Sequence, residues 1–162
     1  VAETEALDRD EIYAIMRKES GFDPGVVSYA DAVGLMQILP ATAEKIAEAR
    51  GEAYARERLL DPTTSVRWAA HLLAGLHREF DGQSVLAIAA YNAGAHKVRP
   101  WLAREARHGK VELDLFVERI PIEQTRNYVR RVFGNWARYA YLADPARGWR
   151  GLSAQLPRYL RE

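Results

Sequence analysis

The run Val85-Leu86-Ala87-Ile88-Ala89-Ala90-Tyr91 constrains this chain more than any other stretch. Ser84 before it is suited to cap a helix, and Gly94 after it ends one. Its residues are apolar at every angle around a helical axis. A helix with no polar face belongs at the centre of a domain, with other helices around it. The rest of the chain supplies them. Asp8 is suited to cap a helix over about Arg9–Glu19, and Pro40 opens one over about Ala41–Arg50. A weaker helical stretch covers about Ala53–Leu59. Asp61-Pro62 starts another, whose Val66, Ala69, Leu73, Leu76 and Phe80 recur at helical spacing. Lys97–Arg107 reads as a helix. Pro121 opens a long one to about Leu142, with Thr125, Val129, Val132, Trp136 and Tyr139 inward and Arg126, Arg130 and Arg138 at least partly outward. No strand-like alternation is sustained, and Val26–Leu39 reads as loop or short extended structure. A length of 162 residues suits one domain with a proper core, and 48% hydrophobic with 28% charged residues is ordinary for a globular protein.

The charge balance excludes some functions. With 23 basic and 22 acidic residues the net charge is +1, which gives no global pull towards nucleic acid or an anionic membrane. The absence of cysteine excludes disulfides and thiolate metal sites. His71, His77, His96 and His108 lack metal-ligand spacing with acidic partners, so no metal is expected. No segment has the roughly 18 continuous apolar residues of a membrane span. The first ten residues do not form a signal peptide and lack an initiator Met, so a processed protein or fragment is expected.

Glu19 ends the first helix on the face of Ile12, Ile15 and Met16, which is otherwise apolar. Poor solvation and the negative end of the helix dipole both disfavour its charge, so a raised pKa is expected. A carboxylic acid that keeps its proton near neutral pH is what glycosidic cleavage needs as a general acid. Two further segments place polar groups where a bland core would not: Gly34-Leu35-Met36-Gln37-Ile38-Leu39-Pro40, and Tyr91-Asn92 at the end of the apolar helix.

Glu19-Ser20, Gly34-Leu35-Met36-Gln37 and Ala90-Tyr91-Asn92-Ala93-Gly94 come in that order. Phe116-Val117-Glu118-Arg119-Ile120-Pro121 follows, then Glu123-Gln124-Thr125-Arg126-Asn127-Tyr128-Val129. Together they resemble the lytic transglycosylase domain of the soluble-lytic-transglycosylase type. The resemblance covers about residues 10–142. It implies a lysozyme-like fold, mostly α and α+β in the broad sense, with a short non-helical or β-hairpin segment after the catalytic helix. Residues 1–9 are then an N-terminal extension, 10–143 the catalytic domain and 144–162 a C-terminal appendage.

The resemblance also implies an activity: cleavage of peptidoglycan between N-acetylmuramic acid and N-acetylglucosamine, leaving a 1,6-anhydro end. Glu19 would act as acid and then base, with Tyr91 orienting it. Ser28 would lie near the substrate N-acetyl group. Gln37, Met36, Leu39, Asn92 and Glu118 complete the expected substrate-binding set. Leu39 stands where Met is expected, a swap between apolar residues of similar volume. Tyr29-Ala30-Asp31 departs from the family's usual loop composition. The implied partners are peptidoglycan strands and further domains of a longer protein, with no nucleic acid. The implied state is a monomer in the periplasm or cell envelope. Two alternatives stay open, a hydrolytic muramidase on the same fold and a non-catalytic peptidoglycan-binding module.

Overall fold

A computed structural model describes residues 7–145 and 156–161. The chain divides into two compact units, Val1–Ala74 and Gly75–Glu162.

The first unit opens with α1, Arg9–Glu19. Asp8 caps it as expected, its carboxylate accepting from the backbone N–H groups of Asp10 at 2.7 Å and Glu11 at 3.3 Å. Ile12, Ala14, Ile15 and Met16 are buried. The helix stops at Ser20, and Gly21 turns the chain away with a left-handed φ of 64°. The following segment carries two isolated antiparallel bridges, Val27 to Val33 and Val33 to Ile38. Helix α2 is Pro40–Ala49, with Pro40 itself in its first turn, because the missing N–H of proline has no partner to lose there. The weaker helical stretch is a 3-10 helix, Arg56–Leu60. Helix α3, Pro62–Glu79, starts where the Asp61 carboxylate accepts from the Thr64 N–H at 2.7 Å. The division between the units falls after Ala74.

In the second unit, α4 (Ser84–Ala93) has every residue from Val85 to Ala90 buried, as an all-apolar helix requires. Ser84 is not its cap, contrary to expectation. Gln83 holds that position without a side-chain capping bond. Its amide reaches elsewhere, donating to Phe80 O at 3.1 Å and Arg161 O at 2.9 Å and accepting from Arg161 N at 2.6 Å. Helix α5 is Ala95–Ala106, begun two residues before the expected Lys97. Its Pro100 leaves one backbone acceptor in the preceding turn without its helical donor.

Strand β1, Val111–Glu112, pairs antiparallel with β2, Tyr159–Leu160, so the last described residues return to the unit. Helix α6, Leu113–Glu118, follows β1. The two short strands and α6 were not anticipated, since elements of two and six residues are too short to show a period. Of the expected appendage, residues 146–155, with Gly148, Trp149 and Gly151, lie outside the described residues. Helix α7 is Glu123–Ala143, starting after Pro121. Thr125, Val129, Val132 and Trp136 are buried as expected, Tyr128 joins them, and Tyr139 is half-buried. Helix α4 packs on α5 and α7. The fold is helical and lysozyme-like, with a small two-stranded sheet.

Candidate active site

Glu19 is the last residue of α1 and is half-buried, one turn beyond the buried Ile15 and Met16. The chain after it is held by a dense set of local bonds. Ser20 Oγ accepts from Phe22 N at 3.1 Å, and Asp23 Oδ1 accepts from Gly25 N at 2.8 Å. Val33 and Ile38 exchange both backbone bonds, at 3.1 and 3.2 Å, which closes Gly34-Leu35-Met36-Gln37 into a tight turn.

Gly34 cannot be replaced without disturbance. Its φ is 78°, and a Cβ there would lie 2.0 Å from the Leu59 carbonyl oxygen. Phe22, Asp31 and Gln37 also take left-handed φ values of 73°, 65° and 47°. Backbone in this region is costly for non-glycine residues, and it gathers where function holds the chain in a set shape.

Gln37 donates from Nε2 to Val26 O at 3.0 Å and to Gly34 O at 2.9 Å. With both amide hydrogens so used, its oxygen is the group it offers outward, an acceptor. Ser28 closes its own turn. Its N–H donates to Ala32 O at 2.8 Å, and its Oγ accepts from Ala32 N at 3.0 Å. A hydroxyl that accepts in this way still has its O–H to donate. Leu39 is 45% exposed, so its apolar surface is open to a ligand. Met36 does not fit its expected contact with substrate, because its side chain is 0% exposed. Its N–H donates to Ser65 Oγ at 3.3 Å, and it anchors the turn from beneath.

The second unit carries Tyr91, Asn92 and Glu118. Tyr91 and Asn92 are half-buried at the end of α4. Asn92 Oδ1 accepts from Thr125 Oγ1 on α7 at 2.8 Å. Glu118, exposed at the end of α6, receives a fork from Arg130, Nε at 3.0 Å with a closer terminal nitrogen. The Arg130 hydrogen bond holds the Glu118 carboxyl below the usual carboxylate range.

Sequence reasoning missed two features. Thr125 was placed in the core, but no pattern signals that it bonds a residue 33 positions away. Glu52 was also passed over. Its carboxylate takes Arg50 Nε at 2.8 Å, an Arg67 terminal nitrogen at 2.7 Å, Trp68 Nε1 at 3.2 Å and Arg58 at 3.4 Å. Arg58 also lies over the Trp68 ring, 5.2 Å from its centroid. The Arg50 hydrogen bond is the main cause of a lowered Glu52 pKa. This knot ties the chain before the 3-10 helix to α3, and the irregular spacing of its members gives no sequence signal.

The model of the Transglycosylase SLT domain matches residues 1–113. The soluble lytic murein transglycosylase of Escherichia coli strain K12 is 39% identical over 131 residues, covering 79% of this chain and 20% of that protein. The putative soluble lytic murein transglycosylase of Haemophilus influenzae is 42% identical over 120 residues, covering 74% and 20%. The chain thus spans about a fifth of the length of the curated relatives it matches. An inactive mutant of the lytic transglycosylase Slt from Pseudomonas aeruginosa superimposes with a TM-score of 0.84 at 32% identity, covering 99% of this chain and 25% of that one. By matched family model, sequence identity and fold, this chain belongs to the Transglycosylase SLT domain family.

Proposed function

We propose that this domain is a peptidoglycan lytic transglycosylase in which Glu19 serves as acid and then as base. The observation that carries the reading is Glu19 itself, half-buried at the end of α1 and followed by a loop held in left-handed backbone at Phe22, Asp31 and Gln37. Protonated Glu19 gives its proton to the glycosidic oxygen between N-acetylmuramic acid and N-acetylglucosamine, and the C1–O bond breaks. The resulting carboxylate takes the proton of the muramic acid C6 hydroxyl. O6 then bonds to C1, forming the 1,6-anhydro ring, and Glu19 is protonated again. No water is consumed. The substrate N-acetyl group steadies the positive charge at C1 between the two steps. Ser28 offers its O–H to the acetyl carbonyl, Gln37 its amide oxygen to a sugar donor, and Leu39 an apolar face. Tyr91 we assign to the catalytic machinery, and Asn92 and Glu118 to substrate binding, by their places in the matched motifs.

A hydrolytic muramidase needs a second carboxylate to hold water. The three carboxylates nearest the motifs are each committed to a bond within their own segment or unit. Asp23 accepts from Gly25, Asp31 pairs with Arg56, and Glu118 pairs with Arg130. A bond or ion pair already draws on each of the three, and the support for the single-Glu mechanism is the resemblance, in which one Glu acts as acid and then base.

We propose that the full-length protein acts in the periplasm or cell envelope, where a peptidoglycan substrate would lie. We propose further domains beyond this chain and a monomeric state. Among the described residues no helix is long and apolar enough to cross a membrane.

The test is digestion of purified peptidoglycan, with products read by mass spectrometry. Anhydromuramic ends are expected. Glu19→Gln is expected to lose at least about a hundredfold in rate while still binding glycan, since general acid–base catalysis is worth about that much or more. Ordinary reducing ends as the main product, or turnover that survives Glu19→Gln, would overturn the mechanism.

A further inference from the structure

We infer that Tyr29 is a stacking platform for a sugar ring of the glycan strand, a subsite outside the set assigned above. The inference rests on the proposed action on peptidoglycan and adds to it a specific contact. Tyr29 is the fully exposed aromatic of the first unit, held at the tip of the turn that Ser28 closes. The turn is not a loose one. Asp31 N donates to Ser28 O at 3.0 Å, Ser28 N to Ala32 O at 2.8 Å, and Ala32 N to Ser28 Oγ at 3.0 Å. The bridge between Val27 and Val33 fastens its base, and an ion pair from Arg56 fastens Asp31.

Tyr29 occupies the first corner of the Ser28–Asp31 turn, a position where Pro presets the backbone and polar residues are usual. An aromatic ring gains nothing there from the fold, because it is fully exposed. The turn therefore fixes the backbone from which an amphipathic ring projects into water, next to a residue assigned to substrate binding. The half-exposed Val27 precedes Ser28, so apolar surface flanks the hydroxyl on both sides in sequence.

The occupant follows from shape and charge. Pyranose rings present flat C–H faces that pack against aromatic faces, with hydroxyls at the edge to meet groups such as the Ser28 hydroxyl. Asp31, two residues on from Tyr29, is paired with Arg56, so the turn carries no unpaired charge of its own to draw an anionic stem peptide or a cation. A neutral sugar, N-acetylglucosamine in the glycan strand, fits best.

The test compares Tyr29→Ala and Tyr29→Phe in two settings. In the active enzyme, Tyr29→Ala is expected to raise KM for glycan strands about five- to tenfold with kcat unchanged, and Tyr29→Phe to stay within about twofold. In a Glu19→Gln background, calorimetric Kd for uncleaved glycan strands should weaken by the same factor for Ala and not for Phe. The thermal midpoint should not move, because an exposed ring supports no packing. Unchanged KM and Kd in Tyr29→Ala would overturn the inference, as would an equal loss in Tyr29→Phe. A fall in affinity for free stem peptide with none for glycan would assign the ring to the peptide and also overturn it. The binding arm needs no turnover, so it reads Tyr29 even where the product analysis refutes the transglycosylase mechanism.

Discussion

Gly34→Ala should destabilise the domain by about 1.5–3.5 kcal/mol, and the structure divides that figure into parts. The new Cβ would stand 2.0 Å from the Leu59 carbonyl oxygen and 3.0 Å from its carbon. A comfortable carbon–oxygen contact is about 3.3 Å or more, so one side must give by about 1.3 Å. The obstacle is backbone in the 3-10 helix, at a leucine that is itself fully buried, and it cannot swing aside as a side chain would. Overpacking of this kind costs about 1–3 kcal/mol. The left-handed φ of 78° adds about 1 kcal/mol for any residue with a Cβ. The smaller entropy of the unfolded alanine chain offsets this by about 0.5 kcal/mol. Gly21→Ala is the matched control: φ is 64°, and nothing lies within 4 Å of the added carbon. It carries the conformational parts without the collision, a net cost of about 0.5 kcal/mol. The assay is urea unfolding of both variants by circular dichroism, with thermal midpoints beside it. At roughly 2–4 °C per kcal/mol for a chain of this length, Gly34→Ala should melt about 3–14 °C lower. Activity should fall with stability, because Gly34 O accepts from both the backbone and the amide of Gln37. If the two variants unfold within about 0.5 kcal/mol of each other, the collision with Leu59 is not what demands glycine here.

Two further outcomes follow from buried and half-buried polar contacts. Glu52→Gln should cost about 1–2 kcal/mol, since it weakens the hydrogen bonds from Arg50, Arg67 and Trp68 together. The folded pKa of Glu52 lies below its ordinary value of 4.5, so its contribution is complete above that value and fades as pH falls through the folded pKa. Urea titrations between pH 7 and pH 3 should therefore show wild type and Glu52→Gln converging at the acid end. Parallel curves across that range would remove Glu52 from the acid response. Thr125→Val keeps the side-chain shape and takes away the donor to Asn92, so about 1–2 kcal/mol should be lost. Thr125→Ser should recover most of it, and equal stability of the Val variant would mean that the bond contributes nothing net.

What the sequence made legible was local or periodic. Asp8 and Asp61 were readable as caps because a cap bonds two or three residues ahead. The buried face of α7 was readable because Thr125, Val129, Val132 and Trp136 recur at helical intervals. Ser84 misled because the Gln83 side chain is claimed by Arg161, 78 residues on, and no local rule carries that distance. The same reason hid Glu52, whose Arg67 and Trp68 partners lie 15 and 16 residues away, and the Thr125–Asn92 bond. Of the candidate site residues, the motifs supplied the positions, but their spacing could not distinguish Met36 from Leu39. They lie three residues apart in one apolar run, one fully buried and one open. Burial at the end of a tight turn depends on which way the turn rolls, and the contacts that decide it come from residues such as Ser65.

The binding roles proposed for Ser28 and Gln37 do not compete with the structural bonds each makes. Each spends part of its hydrogen-bonding capacity on the loop, and what remains has a fixed polarity. Ser28 accepts from Ala32, which leaves its O–H to donate. Gln37 donates twice inward, which leaves its oxygen to accept. The loop bonds thus leave Gln37 an acceptor and leave Ser28 with its O–H donor and one further lone pair. An N-acetyl sugar carries the complementary pair, a carbonyl that accepts and an amide N–H that donates. Free side chains would have to pay the entropy of choosing these orientations at each binding event. Here the turn that contains Gly34 and the turn that Ser28 closes make the choice once, during folding. Stability lost at Gly34 and affinity lost for the N-acetyl group should therefore have a common origin in the geometry of one loop.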